Sequence, residues 1–166
     1  MSVPVGPWRY ARRVARAYVA LGSNLGDREG TIRAALSALA ETPGLEIVAV
    51  STLVETEPIG YLDQPPFLNG AAALETELPP RELLDLLLET ERRFGRVREG
   101  LPAQGPRTLD LDLLLYGDRE IDEEGLQIPH PRLHERGFVL GPLAELDPAL
   151  EVPRKGQVLA LLARLH

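Results

Sequence analysis

The sequence predicts an α+β domain: an antiparallel sheet in βαββαβ order with helices on one face, plus a C-terminal hairpin and helices. Three observations lead there. Two stretches carry helical periodicity, about Asp27 to Glu41 and about Pro79 to Phe94. Apolar strand-like segments fall before, between and after them. Two of those segments stand back to back between the helices, which breaks the strict alternation of a parallel sheet.

Tyr18 to Leu21 (YVAL) reads as a short buried strand ending at Gly22-Ser23-Asn24. The first helix follows, with Asp27 as N-cap and Ile32, Leu36 and Leu39 on one face. Leu45 to Glu55 is β-rich and apolar on both faces, the pattern of a central strand. A loop with Pro58, Gly60, Pro65 and Pro66 leads into a strand from Phe67 to Leu78. Pro79-Pro80 opens the second helix, with Leu84, Leu87, Leu88 and Glu91 on a shared face and Gly95 at its end. An Arg/Gly/Pro loop then reaches a strand at about 108 to 116, a short hairpin around Gly117 to Leu126, and helical pieces near 132–136, 141–146 and 156–165. The order over 18 to 116 is the split-βαβ, ferredoxin-like arrangement. The expected organisation is one domain over 17–166, preceded by an extension at 1–16.

At 166 residues one core suffices, burying roughly 70% of the unfolded chain's surface. No apolar run approaches the roughly 20 residues of a membrane span, so no membrane partner is expected. A net charge of −7 speaks against a general nucleic-acid binder, which carries a basic surplus. Cys is absent, which excludes disulfides, thiolate metal sites and cysteine nucleophiles and fits a reducing cytoplasm. The first sixteen residues carry Arg9, Arg12, Arg13, Arg16 and the single Trp. They lack the apolar core of a secretory signal and read as a packed or loosely ordered extension, with a mitochondrial-type presequence as the alternative.

The chemistry concentrates in RTLDLDLLLYG, residues 107 to 117. Strand side chains alternate, so Asp110 and Asp112 share one face about 6.6 Å apart along the strand, while Leu109, Leu111 and Leu113 anchor the other. Two carboxylates on one rigid strand need a shared cation, a proton or an arginine pair. Mg²⁺ suits them, because it takes one or two carboxylates and completes its shell with waters and substrate phosphates. A solvated strand face is the plain alternative. Arg96, Arg98 and Arg107 upstream, and His130, Arg132 and Arg136 downstream, make a metal–polyphosphate site the stronger reading; a structural salt-bridge network also fits. Gly22-Ser23-Asn24-Leu25-Gly26 lacks the Gly-Lys-Ser/Thr ending of a P-loop and reads as a tight strand-to-helix turn. His130 and His134 make a poor zinc pair, since Pro131 spoils a helical start.

A second feature is DQPPFLNGAAALET, where alternation puts Phe67 and Asn69 on one face. An aromatic beside an amide suits a flat heterocycle with a donor–acceptor edge, although a core Phe and a backbone-bonded Asn would look the same. The loop from Thr56 to Pro66 can wall or cover such a pocket.

Taken together, ALGSNLGD, ETEPIGYLDQPPFLNGAAALET, FGRVREG, GPRTLDLDLLLYG and IPHPRLHERGFVLGPLAELDP resemble the 6-hydroxymethyl-7,8-dihydropterin pyrophosphokinases of folate biosynthesis, over about Tyr18 to Pro148. The resemblance implies a ferredoxin-like core and transfer of pyrophosphate from ATP to the pterin's hydroxymethyl oxygen, releasing AMP. It implies that Asp110 and Asp112 hold two Mg²⁺ ions and that Arg96, Arg98 and Arg107 act with them in catalysis. Arg98, Arg107, Leu113, His130 and Arg136 fall at nucleotide-contacting positions; Thr56, Ile59, Phe67, Asn69 and Phe138 fall on the pterin pocket. Glu91 falls near the active centre. The chain departs from the family pattern at Glu57, Gln104, Gly125, Gln127 and Pro131.

The implied partners are ATP and the pterin, with no nucleic acid and no membrane; the expected location is the cytoplasm, and the sequence leaves the oligomeric state open, a monomer being one option. No residue stands out as a general base, so catalysis would rest on positioning and electrostatics. Two rivals remain at this point. A D-x-D nucleotidyltransferase would release pyrophosphate and leave an AMP-linked product, and a non-catalytic ferredoxin-like module would bind RNA or a small effector, against the net charge and the 5% aromatic content.

Overall fold

The computed structural model describes residues 14–57, 63–94 and 109–165. β1 (Ala15–Ser23) is the spine of the sheet, because it pairs antiparallel on both sides, with β4 (Phe67–Thr76) and with β5 (Asp110–Tyr116). β2 (Leu45–Val50) and β3 (Val54–Thr56) both pair with β4, which gives the order β2-β4-β1-β5 with β3 continuing the β2 edge. This is the expected βαββαβ sheet. β1 opens at Ala15, and Arg16 ion-pairs with Glu75 across the ladder at 2.8 Å.

One expectation needs correction. The stretch 45–55 is not a central strand; it forms the two pieces of a sheet edge. Its apolar residues on both faces come from a register shift between Ile47 and Ala49, not from burial on two sides. The shift inserts Val48 as an extra residue, 43% exposed, and the alternation slips past it.

Helix α1 (Arg28–Ala40) starts at Asp27, whose side chain accepts the Gly30 amide at 3.0 Å, and buries Ile32, Ala35, Leu36 and Leu39. Helix α2 (Pro80–Arg93) starts on Pro80, where a missing N–H costs nothing. Its inward face is Leu83, Leu87, Thr90 and Glu91, one step round from the expected stripe; Leu84 and Leu88 are only half-buried. Both helices cover the sheet face made by Val19, Leu21, Leu74, Leu109, Leu111 and Leu113.

The opposite face is covered over part of its area. After the hairpin β6 (Ile121–Glu123) and β7 (Leu126–Ile128), a 3₁₀ turn at Leu133–Glu135 leads into α3 (Gly137–Leu146). The small hairpin β8 (Glu151–Val152) and β9 (Gly156–Gln157) then leads into α4 (Val158–Ala163). These elements bury Tyr18, Ala71, Ala73, Leu114 and Leu115. The strip of this face toward Gly22, Asn69 and Asp110 is left for the site.

A bulge in β5 explains the run Leu113-Leu114-Leu115. Val19 faces Leu113 while Tyr18 faces Leu115, so Leu114 is the extra residue. Leu113 packs under the helices of the first face, and Leu114 and Leu115 both pack on the second. One strand thereby carries an acidic face and a doubly covered end.

Candidate functional site

Sheet register builds the floor of the site. Asn69, Gly22 and Asp110 stand in one row across β4, β1 and β5, and Ala71, Ala20 and Asp112 stand in the next. The middle strand offers only a hydrogen and a methyl group, so the rows make a trough between larger side chains. Gly22 is required there, since a Cβ would sit 2.9 Å from Asn69 Oδ1 and 3.9 Å from both Phe67 Cδ1 and Asp110 Cβ.

Asp110 and Asp112 project from the same face of β5, half-buried, as the alternation predicts. The outer edge of β5 is held by Glu91, 1% exposed, whose carboxylate accepts the Leu111 amide at 2.7 Å. That amide lies between the two aspartates in sequence, so Glu91 fixes the strand that aims them.

Asn69 Nδ2 donates to Thr56 Oγ1, which joins the two polar groups into one edge across the β3–β4 ladder. Phe67, Phe138, Glu57, Arg136 and Val139 complete the walls of this first cleft with Asp110, Asp112 and His130. A second cleft lies against β5, α2 and the β6–β7 hairpin. It is lined by Leu84, Leu88, Leu113, Gly125 and Gln127 together with Glu91, Asp110, Asp112 and His130. The two aspartates and His130 line both clefts, which therefore meet at the carboxylates.

The bulge also places His130. Its amide donates at 2.9 Å to the carbonyl of Leu114, the bulge residue. His130 Nδ1 accepts the Arg132 amide at 3.2 Å, so in the neutral ring the proton sits on Nε2. Burial pushes the His130 pKa down, and the nearby Arg136 and Arg132 push the same way against Asp110. The imidazole is therefore a neutral Nε2–H donor at pH 7. Arg136 stacks over Phe138, 5.6 Å from the ring centroid, and its Nε is buried with no partner among the described residues. An orphaned guanidinium donor in a cleft wall is a natural place for an anion.

The structure thus brings together Asp110, Asp112, His130, Arg136, Thr56, Phe67, Asn69 and Phe138 around the first cleft, with Leu113 lining the second. Arg96, Arg98, Arg107 and Ile59 lie outside the described residues. His134 lines neither of these clefts. No group of three or more His, Cys, Asp or Glu side chains suited to a metal occurs among the described residues. Two carboxylates alone leave most of a cation's coordination shell to water and substrate. Sequence reasoning missed Ala20 and Gly22 as the floor. The signal was present in the alternation of small residues along β1 facing Ala71 of β4, but Gly22 reads as a turn residue because it stands next to Ser23-Asn24.

The chain is similar to known proteins in sequence and in fold. The sequence matches the family model for 7,8-dihydro-6-hydroxymethylpterin-pyrophosphokinase (HPPK) over residues 18–148. It is 48% identical over 150 residues to the 2-amino-4-hydroxy-6-hydroxymethyldihydropteridine pyrophosphokinase of Pseudomonas aeruginosa, covering 90% of this chain and 91% of that one. The enzyme of the same name from Bacillus subtilis is 48% identical over 135 residues, covering 81% and 80%. In three dimensions the chain is similar to the crystal structure of Plasmodium falciparum HPPK-DHPS with pteroate, with a TM-score of 0.69 at 15% identity. That likeness covers 92% of this chain and 42% of the larger one, and it concerns the fold. Among the described residues no helix is long and apolar enough to cross a membrane.

Proposed function

The chain belongs to the 7,8-dihydro-6-hydroxymethylpterin-pyrophosphokinase family, and on that premise we propose that its first cleft holds the pterin and its second the ATP, with Asp110 and Asp112 at the junction. The activity is ATP-dependent pyrophosphate transfer to 6-hydroxymethyl-7,8-dihydropterin in folate biosynthesis. The observation that carries the assignment of sites is that two clefts of different chemistry share one pair of carboxylates.

In the first cleft the linked amide and hydroxyl of Asn69 and Thr56 read the donor–acceptor edge of the pyrimidine ring, and Phe67 and Phe138 stack on the bicycle. Ile59 belongs to the same pocket in this reading. The hydroxymethyl arm then points along the trough toward Asp110 and Asp112. In the second cleft Leu113 packs against the nucleotide, leaving the triphosphate directed at the same carboxylates.

The pterin hydroxyl oxygen attacks the β-phosphorus and gives up its proton to solvent, the bond from that phosphorus to the oxygen bridging to the α-phosphorus breaks, and AMP departs with the electron pair. The protein's part is to align the attacking oxygen and to neutralise charge on the leaving side. His130 Nε2–H and Arg136, with Arg98 and Arg107, supply donors to phosphate oxygens; Arg96 adds further positive charge. Asp110 and Asp112 are hard oxygen donors on one face, half-buried and open to both clefts, which fits two Mg²⁺ ions. Held by these two carboxylates, such ions would supply positive charge that offsets the triphosphate and favours loss of the hydroxyl proton. A neutral His130 beside Asp110 sets no imidazolium charge in competition with a cation there. The enzyme is proposed to work in the cytoplasm.

The test is the product. With Mg²⁺, ATP and 6-hydroxymethyl-7,8-dihydropterin the expected products are AMP and the pterin diphosphate, in equal amounts. ADP with a monophosphorylated pterin, or inorganic pyrophosphate with an adenylylated product, would overturn the assignment.

A further inference from the structure

Beyond Gly22, the turn Ser23-Asn24-Leu25-Gly26 has no part in the chemistry above, yet Asn24 is 1% exposed. We propose that Asn24 is a positioning residue for the pterin cleft, holding from behind the segment that delivers Phe67 and Asn69; this rests on the pterin reading of that cleft. Its Nδ2 donates to Gln64 Oε1 at 2.8 Å and to the Pro65 carbonyl at 3.2 Å. Four residues on, at the first residue of α1, Arg28 donates to the Pro66 carbonyl at 3.0 Å and to Glu55 Oε2 at 2.6 Å. Three consecutive residues, Gln64, Pro65 and Pro66, are thus tied to the start of α1 immediately before Phe67.

The residue types follow from what that segment can offer. Pro65 and Pro66 have no backbone N–H, so the approach to β4 presents carbonyl acceptors where an ordinary strand would also present donors. Whatever fixes it must donate. An amide NH₂ and a guanidinium do so, and a carboxylate of the same size as Asn24 would set an acceptor against the Pro65 carbonyl.

The ties also reach both sides of the recognition edge. Pro66 precedes Phe67, and Glu55 precedes Thr56, which faces Phe67 across the β3–β4 ladder. One turn of chain therefore sets the spacing between the stacking ring and the Thr56–Asn69 pair. Neither Asn24 nor Arg28 lines either cleft, so both act through the residues they hold. In this role Asn24 governs pterin affinity and leaves nucleotide affinity alone.

The experiment measures, on the full-length chain with Mg²⁺, two dissociation constants by calorimetry. One is for the non-cleavable α,β-methylene analogue of ATP; the other is for the pterin with that analogue saturating. Asn24→Ala is expected to weaken pterin binding ~10-fold, the loss of two hydrogen bonds at the cleft's support, with analogue binding within twofold of wild type. Gln64→Ala, which removes the same contact from the loop side, is expected to act in the same direction, and the double variant to be less than additive. Gln64→Ala and Arg28→Gln carry the test if Asn24→Ala fails to fold. Pterin affinity unchanged in Gln64→Ala, or equal weakening of both ligands, would overturn the positioning role. If instead wild type binds no pterin, it is the assignment of the cleft that fails.

Discussion

Replacing Gly22 by alanine tests the trough directly, and its outcome can be worked from the contacts. No positive φ binds Gly22 to glycine, so the backbone accepts alanine. The new Cβ would lie 2.9 Å from Asn69 Oδ1, closer than such contacts occur, while Phe67 and Asp110 at 3.9 Å stay in ordinary contact. Asn69 must therefore turn, and it is held by its bond to Thr56. Losing that bond costs about 1 kcal/mol, and an off-rotamer amide adds about 0.5–1.5 kcal/mol. With about 1.4 kcal/mol for each tenfold, pterin affinity should fall about 10- to 100-fold. Folding stability should fall by less, about 0.5–2 kcal/mol, because replacing glycine removes about 0.4–1 kcal/mol of unfolded-state entropy in compensation. Calorimetric titration of the pterin in the presence of Mg²⁺ and the α,β-methylene analogue reads the first quantity, and thermal unfolding the second. Pterin affinity within twofold of wild type would show that the Gly22 row is not the floor of the pterin site.

Three further outcomes follow from the same geometry. Asp110→Asn and Asp112→Asn should each lower AMP formation by on the order of 10³-fold with the thermal midpoint nearly unchanged, and chelation of divalent cations should stop wild-type turnover until Mg²⁺ is restored; activity within tenfold in either variant would remove that carboxylate from the chemistry. Glu91→Ala should destabilise the fold by about 1–3 kcal/mol in denaturant titrations, because it leaves the buried Leu111 amide without its acceptor, whereas Glu91→Gln, which retains an acceptor, should lose less than half as much; equal losses would mean that the contact is not what matters. For His130, burial and Arg136 lower the folded-state pKa, so as pH falls the unfolded chain, near 6.5, takes up its proton first. The contribution is intact above about pH 6.5 and is lost as pH falls toward the folded value. His130→Asn should flatten that part of the stability curve, and ¹⁵N spectra of labelled imidazole should show the Nε2–H tautomer at pH 7; an imidazolium there would refute the assignment.

What the sequence made legible was whatever depends on local period. Alternation was enough to put Asp110 and Asp112 on one face and Leu109, Leu111 and Leu113 on the other, and helical spacing with Asp27 and Pro80 at the starts located both helices. The edge position of 45–56 was not legible, because a one-residue bulge at Val48 mimics the two-sided apolar pattern of a buried strand. The second bulge, at Leu114, hides in a run of three leucines whose identities are the same on either face. The floor escaped notice for a related reason. Ala20 and Gly22 carry no chemistry, and their value appears only when register sets them between Asn69 and Asp110. Asn24 likewise needs a partner forty residues away.

Register also explains how one rigid sheet can align two substrates. Asn69 and Asp110 are separated by the single strand β1, which fixes their backbones at about 9.6 Å, two interstrand spacings. In the proposed arrangement a fused bicycle gripped at its pyrimidine edge by Asn69, with its hydroxymethyl arm at the opposite end, would span that interval along Gly22 and bring the attacking oxygen toward the carboxylates. A floor residue with a side chain would lift the ring out of this line, and a wider sheet order would leave the oxygen short. On that proposal the hydrogen-bonded spacing of the sheet sets the approach distance for the reaction in advance, and substrate-induced closure is left to supply phosphate contacts and exclude water. A pterin analogue lengthened by one methylene between ring and hydroxyl tests this point. It should bind to the Asn69 edge with affinity within a fewfold of the natural substrate while its rate of AMP formation falls ~100-fold or more, the cost of a misplacement near 1 Å. Equal turnover of the two alcohols would show that the sheet spacing does not set the alignment.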